Sequence, residues 1–383
     1  MPEIIVPPSA VKKYPFFIKA PVILIGLFVF CYILYLLSPV LVPFAFACLI
    51  AILLNPLSSM LQRRLPRGLA IFCTILIALV VVGVLLYFLS TQILTFSETL
   101  PALKAKSNMI VHELQLWISN RFGITTKKQL EIVNNALNGS QAYVGETLST
   151  ILGGMTVLVL IPIYVFFLLF YKPLILDFIF QAFSEKHSLR VAEILVETKS
   201  AIQRYILGLL IEMAIVSAMN SAALLMLGVR SAILIGVIGG ILNTIPYLGG
   251  LVAIALPILM VTVTQDGYST QLAIVMAYLI IQLIDNNILV PKIVSSKVEI
   301  NALFSILIVL CGGLLWSYSG MFLSIPLVAI LKIIFDRIDG LKPWGHLLGT
   351  KIPDVHAGVK WQAQWKRVFR QKQKRSVVQR NDL

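Results

Sequence analysis

The strongest constraint on this chain is a succession of long apolar runs that almost lack charge. Several windows of roughly 16 to 22 residues have the length and character of helices that cross a hydrocarbon core near 30 Å. The 383 residues are 58% hydrophobic and 13% charged, with a mean hydropathy of +0.92. A soluble chain carries about 25% charged residues. The fold class is therefore all-α: a polytopic integral membrane protein. About six full transmembrane helices and two broken helical hairpins are expected, eight or so hydrophobic segments in total.

The segments follow in order. A cytoplasmic N-terminus (1–20) holds Lys12, Lys13 and Lys19. N-terminal transmembrane helices occupy 21–90, with a Ser38-Pro39 break, a second at Asn55-Pro56 and a loop carrying Arg63, Arg64 and Arg67. Residues 91–150 form a mixed, extracytoplasmic helical segment. Residues 151–205 supply a further transmembrane helix and a cytoplasmic amphipathic helix. In the latter, Val191, Ile194, Leu195, Thr198, Ile202 and Tyr205 recur at helical spacing. A transport unit with two hairpins spans 206–335, and a basic cytoplasmic tail spans 336–383.

Other chemistry finds little support. Cys31, Cys48, Cys73 and Cys311 lie in apolar segments without a paired spacing and serve as small hydrophobes. His112, His187, His346 and His356 lie outside the apolar spans, and no HExxH or GxSxG motif occurs. There is no second aspartate at membrane depth to form a catalytic dyad with Asp285. No enzyme, metal centre or cofactor is expected. The N-terminal apolar stretch lacks the small-residue cleavage site of a signal peptide.

Basic residues in short loops set the expected orientation. The N-terminus, the loop at 63–67, Lys292, Lys297 and the C-terminal tail all read as cytoplasmic, so both termini face the cytoplasm. That scheme closes only if 231–264 and 302–335 return to the side they entered from, or are each crossed twice. Their apolar arms of about 15 residues reach roughly 22 Å, short of the hydrocarbon core. Each reads as a hairpin, and the two dip from opposite faces.

The two hairpins belong to a weak internal repeat. A span (206–227) with the first hairpin is followed by a span (272–290) with the second. Gly239-Gly240, Gly250 and Pro257 are echoed by Gly312-Gly313, Gly320 and Pro326. The opposed orientations make this an inverted repeat, the usual setting for a transport site between hairpin tips. Polar side chains concentrate there. Asn243, Thr244, Pro246, Tyr247, Gly249 and Gly250 form the first tip, and Ser319 and Gly320 belong to the second. Asp285, Asn286 and Asn287 end the sixth span, and Glu212 lies in the fifth. An ionised group at membrane depth is costly and faces a cavity, a partner or an ion. Asn and Ser also serve simply to satisfy helix contacts and freed backbone groups. Glu212 lies about one turn from the cytoplasmic edge, where its side chain can reach water.

Four stretches carry a family resemblance: "RYILG" at 204–208, "LGVRSAILIGVIGGILNTIPYLGG" at 227–250, "QLIDNNILVPKIV" at 282–294 and "GGLLWSYSGMFLSIPLVAI" at 312–330. In order and spacing, over roughly residues 20–340, the chain resembles the AI-2E (autoinducer-2 exporter-like) transporters. It departs from that pattern at Gly250, where the family commonly has proline, and at Gly208-Leu209 and Asn301-Ala302. The resemblance implies secondary transport or export of a small solute across the bacterial inner membrane. The implied activities are efflux of an autoinducer-2-like signal or sodium (or lithium)/proton antiport. It also implies a homo-oligomer, with a pentamer as the expectation.

Alternating access by the 206–335 unit is the mechanism these features suggest, with Asp285 binding a cation or relaying a proton. A passive channel or a non-transporting membrane scaffold is the competing class. The expected partners are a small solute, protons or sodium, and membrane lipid, with no nucleic acid. In the tail, Trp361, Trp365 and Phe369 fit one face of a basic helix on anionic lipid; a disordered solubilising tail fits the same composition.

Overall fold

The computed structural model describes residues 16–97, 105, 109, 112–113, 115–121, 147–183, 188–245, 249–265, 267–294 and 300–352. Pro246 and Tyr247, most of the expected 91–150 segment and the basic tail from 353 onward lie outside the described residues. Among those described, there are helices and turns and no strand.

Helices α1 (Phe16–Leu36), α2 (Ser38–Leu61), α3 (Arg67–Ser97) and α4 (Thr147–Phe170) form the N-terminal group. A short helix, α5 (Lys172–Ala182), is bent by 62° from the end of α4. By length and composition alone five of the described helices can cross a membrane, one of them the stretch Ala302–Arg337 that doubles back on itself, or six with the bent α4–α5 pair counted as one span. The Asn55-Pro56 step does not end α2. Pro56 has no N–H to offer Ile52 O four residues back, and Gln203 Nε2 from a later helix fills that vacancy at 2.7 Å. Ala47, Ala51, Ile71, Ile75, Val165 and Leu169 join α2, α3 and α4 in one buried cluster.

The fifth span and the amphipathic helix before it form one unbroken helix, α6 (Ser188–Met226), of 39 residues. At 1.5 Å per residue it is roughly 58 Å long. Its buried positions include Ala201, Tyr205, Gly208, Glu212, Val216, Asn220 and Leu224, a single stripe at spacings of three and four.

Two hairpins pack against α6. The first consists of α7 (Ala232–Asn243) and α8 (Gly249–Thr264). Its arms of 12 and 16 residues reach roughly 18 and 24 Å, too short to cross. Small residues allow α7 to lie on α6. A Cβ on Gly236 would meet Ser221 Oγ at 2.3 Å, and one on Gly240 would meet Ser217 Oγ at 2.0 Å. This is small-residue packing at a spacing of four on both helices.

The second hairpin is α10 (Ala302–Arg337), which reverses at Trp316 and Ser317; Ser317 has φ 53° and ψ −139°. A Cβ on Gly312 would lie 2.5 Å from Gly320 O and 1.9 Å from Ser324 Oγ. Along a straight helix residues 312 and 320 are about 12 Å apart, so the two arms lie side by side. The Trp316 indole donates to Leu34 O of α1 at 3.0 Å, and Phe46 of α2 stacks on Phe322.

The hairpins enter from opposite ends of α6. The base of the first is beside the C-terminal end of α6, where Gln265 Nε2 donates to Gly228 O. The base of the second is at the N-terminal end, where Arg337 pairs with Glu193 and, at 2.7 Å, with Glu197. Asn301 ties that base to the following α11 (Lys342–Leu348): its N–H donates to Leu348 O at 2.9 Å. Between the hairpins runs α9 (Ser269–Ile284), which continues as a π-helical segment, Asp285–Val294. Pro291 lies within that segment. The wider winding suits a stretch that lacks one amide donor, and such segments gather at functional sites.

Candidate functional site

The tip of the first hairpin, the middle of α6 and the α9–π junction enclose a cavity of about 670 Å³. Its polar lining includes Glu212, Asn243, Thr244, Gln282, Asp285 and Asn286. Asp285 is 2% exposed and Glu212 5%. The two carboxyl groups line the same cavity as neighbours. Asn243 Nδ2 donates to Asp285 Oδ2 at 2.8 Å, while Asp285 Oδ1 is buried without a donor.

The sequence puts these groups together for local reasons. Glu212 occupies the buried stripe of α6, so its side chain turns inward and does not reach the water edge expected for it. Tyr278, Gln282 and Asp285, spaced by four and three, share one face of α9. Gly250 allows α8 to approach that face, since a Cβ there would lie 2.3 Å from Gln282 Oε1. Gly249 allows the tip itself to close, since a Cβ there would lie 2.1 Å from Leu242 O. Both glycines are helical with negative φ. They are required for close approach, not for a left-handed turn.

Two carboxyls in contact and out of water repel when both are ionised. Such pairs are found in proteins sharing a proton or holding a cation. Asn243 offers a donor to one oxygen only, and Oδ1 of Asp285 is left without a partner.

Of the residues expected at the site, the structure brings Glu212, Asn243, Thr244, Gly250, Asp285 and Asn286 to the cavity. Gly249 shapes the tip beside it. Asn287 turns away and donates to Leu283 O at 2.8 Å. Pro246 and Tyr247 lie outside the described residues. Ser319 and Gly320 do not line the cavity; Gly320 is a packing contact within the second hairpin. That hairpin contributes Ser305 and Ile325 from its two arms, not from its tip. The cavity is thus built under one tip and not between two. Tyr205, read from the sequence only as part of an amphipathic face, and Tyr278 also line it, and neither was expected at the site. Their register with Glu212 and Asp285, at multiples of the helical turn, is the signal that could have found them.

Fold and site together define a multi-pass helical membrane protein with a carboxyl pair buried in a polar cavity. A profile of the AI-2E family of transporters matches residues 22–340. The chain belongs to the AI-2E transporter family, and its role is membrane transport. It is similar to the AI-2 transport protein TqsA of Escherichia coli K12, 29% identical over 313 residues, covering 79% of this chain and 87% of TqsA. It is also similar to YueF of Bacillus subtilis, 24% identical over 330 residues, covering 81% and 87% of the two chains. PerM of E. coli K12 is 30% identical over 192 residues, covering 49% of this chain and 54% of PerM.

Proposed function

We propose that the protein is a secondary transporter of the bacterial inner membrane. It moves a small solute by alternating access and couples that movement to a proton or a monovalent cation. The observation that carries the reading is the buried Glu212–Asp285 pair beneath the first hairpin tip. Protonation or cation binding there changes the charge that Asn243 holds at Asp285, and with it the grip of the tip on α9. The solute is either a signal like that named for TqsA or the exchanged cation itself.

Both termini are placed in the cytoplasm. Arg63, Arg64 and Arg67 between α2 and α3 support that orientation by the positive-inside rule. The working assembly is a homo-oligomer, with five copies as the expectation from the family.

The test is flux into vesicles holding the purified protein, with proton and sodium gradients imposed separately. Asp285→Asn and Glu212→Gln are each expected to abolish gradient-driven transport. Coupling that survives both substitutions unchanged refutes the assignment of the pair. Flux that never saturates and ignores both gradients favours a passive channel.

A further inference from the structure

A second cavity, of about 440 Å³, lies between α2, the α4–α5 bend and the N-terminal third of α6. Its walls are mostly apolar and include Cys48, Ile52, Leu176 and Ile179. Its polar lining consists of Asn55, Lys172, Thr198 and Lys199. Lys172 Nζ donates to Asn55 Oδ1 at 2.9 Å. Arg67 stands nearby, donating to Leu169 O at 3.1 Å and lying over the Phe170 ring.

Among the described residues no carboxylate lies within ion-pair range of Lys172, Lys199 or Arg67; the acids of α6 closest in sequence, Glu193 and Glu197, are held by Arg337. Partial burial and then the neighbouring charges of Lys199 and Arg67 push the Lys172 ammonium below its usual range. Thr198 Oγ1 is buried with no partner. The groove lies where an apolar helix long enough to belong to a span comes to its end. The apolar helix α4 ends at Phe170, and α5 leaves it at 62° with Leu174 and Phe178 uncovered.

We propose that this groove binds one anionic phospholipid of the adjoining leaflet, with its phosphate at Lys172 and Lys199 and an acyl chain along the apolar wall. Charge and shape select that occupant. Inorganic phosphate has no use for the wall, and a zwitterionic lipid brings its own cation toward the lysines. Basic pockets between membrane helices hold lipid headgroups on this principle.

The experiment is native mass spectrometry of the full chain in detergent, titrated separately with phosphatidylglycerol, phosphatidylcholine and inorganic phosphate. Phosphatidylglycerol is expected to be retained in preference to the other two. The double variant K172Q/K199Q should weaken its retention about thirty-fold, roughly five-fold per lysine. K199E, which reverses one charge, should weaken it by itself. Lys332→Gln, at an ion pair elsewhere, should leave it unchanged. Equal retention of the two lipids, tight binding of phosphate alone, or unaltered phosphatidylglycerol retention in both lysine variants overturns the proposal. So does a groove that takes no lipid because a second copy of the chain fills it, visible as an intermolecular cross-link through Lys199.

Discussion

Two adjacent glycines on α7 should respond in opposite ways to the same substitution. Gly239 and Gly240 both lie inside the helix, so replacement by alanine brings each the same gain in helix propensity, about 1 kcal/mol. Their surroundings differ. A Cβ at Gly240 meets Ser217 Oγ at 2.0 Å and the Ser217 backbone N and Cα at 2.8 and 2.9 Å. Rotating the serine hydroxyl relieves the first contact but not the backbone ones, so α7 must move off α6 by about half an ångström or more. Overpacking of this kind costs about 1–3 kcal/mol. A Cβ at Gly239 meets Asn220 Nδ2 at 3.1 Å, Ala253 Cβ at 3.5 Å and Tyr278 Oη at 3.6 Å, all of them side-chain atoms, which a small side-chain adjustment absorbs. The propensity gain cancels in the comparison, so Gly240→Ala should be less stable than Gly239→Ala by about 1–3 kcal/mol. Reversible unfolding in mixed micelles, followed by tryptophan fluorescence, measures the difference. Equal stabilities, or Gly239→Ala as the weaker variant, would refute the close packing of α7 on the serine face of α6.

Other outcomes follow from the base of the second hairpin. Asn301 caps α10 by accepting from Phe304 N at 3.0 Å, and it donates to Leu347 O and Gly349 O. Asn301→Ala should cost about 1–2 kcal/mol, with Asn301→Asp recovering the cap alone; thermal unfolding in detergent distinguishes them. Arg337→Ala removes two exposed ion pairs worth about 0–1 kcal/mol each, and the deficit should shrink in 1 M salt as charges are screened. The Asp339 carboxyl is held below its usual 3.8 by a hydrogen bond from Lys342, the charge of Lys342 and then Arg190. Its folded-state value is depressed, so its contribution is complete above 3.8 and fades as pH falls through the lower folded value. Wild type and Asp339→Asn should therefore converge in stability toward acid pH.

The hairpins were legible because chain length is a hard limit: arms of 12 and 16 residues cannot cross, whatever their composition. The glycine pairs were legible as marks of the repeat, but their use was not: Gly240, Gly249 and Gly312 serve as surfaces against which another backbone lies. That use depends on neighbours distant in sequence. Glu212 illustrates a different failure. Judged by depth alone it could reach water, while the spacing of Tyr205, Glu212, Val216 and Asn220 already assigned it to the buried stripe. Its pairing with Asp285 depends on how α6 and the π-helical segment meet across 72 intervening positions, and no local pattern records that. The continuity of α2 through Pro56 was likewise hidden, because the donor that satisfies Ile52 O comes from Gln203 on another helix.

The unbroken α6 carries a consequence for how such a sequence can change over time. It holds the second hairpin through Glu193 and Glu197 and the first through Ser217 and Ser221, and every residue between them turns the helix by about 100°. Outside the buried stripe that holds Glu212, side chains along that stretch can be exchanged one by one at modest cost. A single-residue insertion or deletion between 197 and 217 cannot be absorbed locally, because it swings one attachment face away from its hairpin while the other stays in place. In this stretch the length of the helix is therefore under tighter constraint than the identity of most of its residues.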